Sequence, residues 1–260
     1  MKKNFLIHAA FLCLLTSCNK SVDNGVTNPP VDTKGPKGSL SHIIFIDPLG
    51  DTTIFNYLFD DKNYLIKEWY NHDSIEYKYA RDEEKRVIRV SMIAPWQTRT
   101  TNVYYNNANE IAYVIDSVIR ETWKEIDSLS FEYTNGRITR INTFSLQTIT
   151  YKTYEYAGSN ISKIRAFYLD DGIYKERYAE DYDYEYDDKI NPFFTPDDIR
   201  FLDYGALSAN NVIQTTRYDI PGGDVASSEF TYGSDNKPIS EIAGTGGVVN
   251  QIMKSLYFYN

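Results

Sequence analysis

Cysteine and histidine are scarce in this sequence, with two of the first and three of the second among 260 residues. Both cysteines, Cys13 and Cys18, lie in the first eighteen positions. No disulfide can then staple the remainder, and stability must come from core and sheet. Beyond that segment only His42 and His72 remain, too few for a zinc site. His72-Asp73-Ser74 contains the residue types of a catalytic triad, but neighbours on one strand or turn point apart. Positive charge is also short, 27 Lys and Arg against 36 Asp and Glu. That balance excludes nucleic acid as a partner, because a phosphate backbone wants a basic face. Phosphate-loop, dinucleotide and zinc-protease motifs are missing. Gly244-Thr245-Gly246-Gly247 lacks the helix a phosphate loop needs and reads as a hairpin loop. Helix formers are not enriched, and the apolar run Phe5 to Leu15 is too brief to span a bilayer.

What is present begins with an export signal, residues 1–17: Lys2 and Lys3, the apolar run, then small residues. Leu15-Thr16-Ser17-Cys18 resembles the bacterial lipobox, which implies cleavage before Cys18 and lipidation of its thiol. Two or three acyl chains anchor stably where one does not, so the expected partner is a membrane reached through the lipid on Cys18. The outer membrane is the expected address, with the periplasmic or surface side left open. Residues 18–40, rich in Pro, Gly, Asn and Ser, read as a flexible lipidated linker. Residues 41–260 read as a single repetitive β domain. Without Lys2 and Lys3 the chain carries 25 basic against 36 acidic side chains, a surplus that favours solubility.

Twenty-three tyrosines suit the half-buried face of a pleated sheet. Phe131-Glu132-Tyr133-Thr134-Asn135-Gly136-Arg137-Ile138-Thr139-Arg140-Ile141 is a hairpin, two alternating segments flanking the Asn-Gly of a type I′ turn. A two-residue loop predicts Thr134 opposite Arg137, Tyr133 opposite Ile138 and Phe131 opposite Arg140. Looser copies recur, and the marker tyrosines Tyr57, Tyr79, Tyr105, Tyr133, Tyr156 and Tyr186 lie 22, 26, 28, 23 and 30 residues apart. Near-periodicity of this kind marks a repetitive architecture. One segment breaks it: Thr195-Pro196-Asp197-Asp198 has helix-start chemistry and predicts a short helix near 196–203, inside a connection that covers an edge or plugs an opening.

Tyr133-Thr134-Asn135-Gly136-Arg137-Ile138 resembles the tyrosine-aspartate (YD) repeat of Rhs-type proteins. With the lipobox, the serial aromatic hairpins and the Lys189-Ile190-Asn191-Pro192-Phe193 break, the chain resembles an uncharacterised family of Bacteroidota lipoproteins assigned a porin-like fold. The resemblance implies an all-β protein, a long antiparallel meander of about 14–16 strands curled or closed into a barrel-like shell. A lipid-facing strand needs an unbroken apolar face of about ten residues. In Trp123-Lys124-Glu125-Ile126-Asp127-Ser128-Leu129 charges fall on both faces, so a soluble tethered barrel is the expectation.

Chemistry is sought where the repeat breaks. On the strand around Asp181, Tyr178, Tyr182, Tyr184 and Tyr186 share a face with Glu180, and Asp181, Asp183, Glu185 and Asp187 share the other. A two-residue turn at Asp171-Gly172 sets Glu180 opposite Lys163 and Asp181 opposite Ser162. Three readings of the acid row follow: a solvated face paired with Lys or Arg of a neighbour, a calcium site on Asp181, Asp183 and Glu185, or an acid pair for glycoside hydrolysis. Tyrosine and tryptophan rings stack on sugars as well as pack a sheet. Tyr182, Tyr184, Tyr186 and Trp96, the last in an apparent loop, are the candidate ligand-binding residues. No residue is singled out as catalytic. The expected role is a non-catalytic binding or scaffolding module for a glycan or another envelope protein. The alternatives are a structural envelope component and a glycan hydrolase.

Overall fold

Segments of alternating apolar and polar residues punctuated by Asx-rich turns form sixteen strands. They are β1 (Leu40–Ile46), β2 (Thr52–Phe59), β3 (Leu65–Tyr70), β4 (Glu76–Arg81), β5 (Val87–Ala94), β6 (Gln97–Tyr105), β7 (Ile111–Arg120) and β8 (Trp123–Thr134) in the first half. The second half adds β9 (Arg137–Phe144), β10 (Ile149–Ala157), β11 (Asn160–Leu169), β12 (Glu176–Ile190), β13 (Asn210–Arg217), β14 (Asp224–Tyr232), β15 (Pro238–Thr245) and β16 (Ile252–Tyr259). Each pairs antiparallel with the next, and β16 pairs with β1, so the meander closes into a barrel. Closure leaves no edge strand to template aggregation. The computed structural model describes residues 36–70, 75–145, 149–169, 176–193, 207–218, 224–245 and 252–260. Cys18, His72 and the predicted helix at 196–203 lie outside them.

The marker tyrosines sit one on each even strand, Tyr57, Tyr79, Tyr105, Tyr133, Tyr156 and Tyr186 on β2 through β12, and Tyr232 and Tyr259 continue the series on β14 and β16. All lie toward one barrel end, here the tight-turn end. Their hydroxyls repeat a contact. Tyr105 donates to the Val87 carbonyl (3.0 Å), Tyr133 to Ile111 (3.2 Å), Tyr156 to Ile138 (2.9 Å) and Tyr259 to Pro238 (3.0 Å), each at the start of the preceding odd strand. The residue before three of these acceptors places its cation over the same ring: Arg86 over Tyr105 (4.6 Å), Arg137 over Tyr156 (5.3 Å) and Lys237 over Tyr259 (5.0 Å). The Arg137-Ile138 of the clearest repeat is therefore one half of a latch whose other half is the tyrosine of the next even strand.

Turns at this end follow a second rule. Asp60, Asp82 and Asn106 open loops in which the side-chain oxygen accepts backbone N–H groups, and the loops close with Asn63 (φ 66°), Lys85 (φ 69°) and Asn109 (φ 68°) in the left-handed region. This is a type I turn completed by an αL residue. The Asn135 (φ 54°) and Gly136 (φ 71°) pair is the expected type I′ turn. A register shift falls within two residues of the marker tyrosine in six of these hairpins.

One such shift corrects the predicted register. Thr134 faces Arg137 and Tyr133 faces Ile138 as expected, but Phe131 faces Ile141, and Arg140 faces Glu132. The extra residue is Thr139, whose hydroxyl donates to the Glu132 carbonyl (3.2 Å). The bulge sends Arg140 outward and Ile141 into the core.

A porin-size ring of sixteen strands tends to leave an open channel. Here the tight-turn end is filled. Val87, Val114, Ile138, Ile141, Tyr154, Ile161 and Ile164 form one buried cluster, and Leu40, Ile43, Tyr57 and Leu65 a second. Leu207 packs on the first and Phe193 on the second, so both described ends of the β12–β13 connection enter the barrel as a plug. Ser208, fully buried, accepts from the Ile161 N–H (3.1 Å) and donates to the Tyr186 hydroxyl (2.8 Å).

The outer face is mixed. Lys67 and Lys78 both pair with Glu76 at 2.6 Å, and Lys163 pairs with Asp183 at 2.9 Å, in mid-strand positions. On β15 and β16, by contrast, Ile239, Ile242, Ile252 and Phe258 are exposed.

Candidate functional site

The plug does not fill its end of the barrel completely. Between Asn191, Pro192 and Phe193 on one side and the inner wall of β13–β16 on the other lies a cleft of about 210 Å³. Its walls carry the rings of Phe193, Phe230 and Tyr257, with Val212, Asn211 and Ser228 between them, and among the described residues its one carboxylate is Glu241. Strand pairing puts Glu241 opposite Phe230 on one side and Ser255 on the other, on the inward face. Ser228 donates to Glu241 Oε1 and the Tyr257 hydroxyl to Oε2, both at 2.8 Å, so neutral hydroxyls orient the carboxylate. Burial and the Glu241 charge push the Tyr257 hydroxyl well above the ordinary tyrosine range, which keeps it a donor.

Asn211, buried in the cleft wall, connects to a second carboxylate. Its amide donates to Asp187 Oδ2 (3.2 Å), its backbone N–H to Oδ1 (3.1 Å), and the Tyr232 hydroxyl donates to the same group. Again the donors are neutral.

Nearer the other barrel end the interior is polar. Arg99 holds Asp116 in a fork, Nε at 2.9 and 2.8 Å and an Nη at 2.6 Å, and Thr101 donates to Asp116 Oδ1 (2.8 Å). Asp116 is only 5% exposed, and this set satisfies its buried charge. Asp127 lies directly opposite Asp116, and burial, then the Glu125 and Asp116 charges, raise its pKa. Lys152 and Glu180 flank the small Ala166 in one inward row. Burial lowers the Lys152 ammonium to about 7 against the opposing pull of Glu180.

The residues anticipated from sequence are placed apart. Tyr182, Tyr184 and Tyr186 point inward on β12; Tyr184 packs on the main core cluster and Tyr186 is held by Ser208, so these rings are wall and core. Trp96, 46% exposed, sits at the β5–β6 turn at the opposite end from the cleft. Asp181, Asp183 and Glu185 face outward in an observed register three residues from the predicted one: Lys163 meets Asp183, Arg165 meets Asp181 and Ala166 meets Glu180. A two-residue turn cannot give that pairing, and a further shift lies between Ala166 and Phe167. The acids thereby gain Lys163 (2.9 Å), Arg165 (3.8 Å) and, for Glu185, the Gln214 amide (3.4 Å). Among the described residues no three His, Cys, Asp or Glu side chains gather as a metal site. His42 stacks on Phe258 (4.3 Å) at the β1–β16 seam, where burial lowers its pKa.

Phe193, Phe230, Glu241 and Tyr257 escaped the sequence reading. On β15 the alternation is inverted, with Ile239 and Ile242 outward and Glu241 inward, so the usual rule of apolar residues facing in assigns Glu241 to solvent.

No family model matches the sequence, and no curated protein is detectably related to it. Its fold is similar to solved structures. A porin-like protein from Bacteroides uniformis superposes with a TM-score of 0.56 at 10% identity, covering 86% of this chain and 99% of that one. A porin-like protein from Bacteroides vulgatus gives 0.53 at 8% identity, covering 85% and 99%. The likeness shows a shared barrel architecture.

Proposed function

We propose that this chain is a lipid-anchored cell-envelope protein whose barrel is a non-catalytic binding module, with the cleft between plug and wall as its ligand site. The cleft carries the reading: among the described residues an aromatic-walled hollow lies beside the packed plug, with its polar atoms fixed by neighbours, the usual anatomy of a small binding site. Hydrolysis is disfavoured because among the described residues the cleft is lined by a single carboxylate, whose two oxygens are both engaged by hydroxyls, whereas glycoside cleavage needs a facing pair.

The leader, the lipobox-like Leu15-Thr16-Ser17-Cys18 and the porin-like fold support an envelope address, with membership in the YD-repeat-like lipoprotein family as part of this proposal. Outward charged pairs in mid-strand support a barrel held beside the bilayer by its lipid, because lipid-facing charge at the midplane is destabilising by about 2–4 kcal/mol for Arg or Lys. Radiolabelled palmitate should enter the wild-type chain and not Cys18→Ala; equal labelling removes the anchor. For binding, a glycan array probed with the chain freed of its leader should give hits that Phe230→Ala weakens about tenfold at unchanged circular dichroism. Hits indifferent to Phe230→Ala would move the site away from the cleft, to Trp96 first.

A further inference from the structure

The charge in the cleft is one-sided. Among the described residues Glu241 is the single charged residue in its lining, and no described Lys, Arg or His forms an ion pair with it. Several other acids of the barrel have cations beside them: Asp116 has Arg99, Asp181 has Arg165 and Asp183 has Lys163. Glu241 has instead two neutral hydroxyls, which orient the carboxylate and leave its charge uncompensated. Asp187, bonded to the cleft-lining Asn211 and to Tyr232, adds a second carboxylate whose side-chain partners among the described residues are neutral. Three aromatic residues stand around this field. The faces of such rings attract cations, and they do so most strongly where water is excluded. The volume of about 210 Å³ is below the ~300–1,000 Å³ of sites for drug-sized ligands, so the fit is to a head group and not to a large molecule.

From these features we infer that the cleft binds an organic ammonium group, with Glu241 as its counter-ion and Phe193, Phe230 and Tyr257 as its aromatic walls. The inference rests on the cleft being the ligand site. It adds the chemical class: alkylammonium head groups in first place, with amino sugars as the other source of the same cation.

The test is calorimetric titration of the full chain, wild type and variants, with two matched pairs: choline against its uncharged isostere 3,3-dimethylbutan-1-ol, and glucosamine against glucose. Choline should bind at least tenfold more tightly than the isostere. Glu241→Gln, which keeps an acceptor for one of the two hydroxyls and offers the other an N–H to accept, should weaken choline at least tenfold and leave the alcohol unchanged. Phe230→Leu, which keeps the apolar volume and removes the ring, should weaken choline severalfold. Binding of glucosamine alone through Glu241 would keep the ammonium class and assign it to amino sugars. Equal binding of choline and its isostere would overturn the charge inference and leave the cleft as an apolar site. If neither cation binds while a neutral glycan does so in a Phe230-dependent way, the inference fails and the binding role stands. If nothing binds and Phe230→Ala changes nothing, both fall.

Discussion

Tyr105, Tyr156 and Tyr259 each do three things: the ring packs inside the barrel, the hydroxyl reaches a strand-start carbonyl, and the π face takes a cation from the turn. Tyr156 shows all of them, with Ile138 as acceptor and Arg137 above the ring. This explains why phenylalanine does not serve equally at the marker positions. Tyr133→Phe keeps the packing and loses one hydrogen bond to Ile111, a loss of about 1 kcal/mol that urea unfolding would read. Proton linkage gives a second outcome. Burial raises Tyr133, Tyr156 and Tyr186 to about 12, above an unfolded value near 10, so their stabilisation is complete below pH ~10 and is lost as pH rises toward 12. Lys152 acts in the opposite sense. Its pKa of about 7 against about 10.4 unfolded means the unfolded chain binds more protons between those values, so its contribution rises with pH across that window. Urea midpoints measured from pH 7 to 12 should therefore climb to a maximum near 10 and then fall, with phenolate absorbance appearing in step with unfolding.

At the scale of the element, hairpins were legible and their registers only in part. Asn135-Gly136 gave the turn and the first two pairs, since these depend on local φ preferences. Thr139 then shifts the pairing, for a reason that lies in the adjoining strands: Ile141 must join Phe131 in the core. The same limit hid the partners of the acid row, because β11 and β12 are three residues from the register of a two-residue turn. Lys163 pairs with Asp183, and Arg165, shared with Glu155, stands beside Asp181, so this face already carries cations. Millimolar calcium should leave the thermal midpoint unchanged. A rise of several degrees that vanishes in Asp183→Asn would restore a cation site to this strand.

For the whole molecule the decisive feature is the plug. Its break in rhythm at Asn191-Pro192-Phe193 was visible, whereas the target of Phe193 and Leu207 was not, since each packs on strands distant in the chain. Ser208 is the fastening point. Ser208→Ala leaves the buried Ile161 N–H without its acceptor and should cost about 1–3 kcal/mol by chemical denaturation. It should also weaken any cleft ligand, because the Ser208 hydroxyl fixes the backbone whose carbonyl holds the cleft-lining Asn191 (3.0 Å).

The all-β class, the meander and the even-strand tyrosine series were legible in the chain, because strand alternation, turn chemistry and repetition are written in neighbouring residues. Tertiary structure alone decided that sixteen strands close, that bulges reset which face each residue takes, and that a carboxylate from β15 meets rings from β14, β16 and the plug. The physical reason is that a one-residue shift in a strand turns every side chain to the other face, and such shifts are chosen by the packing of the whole barrel.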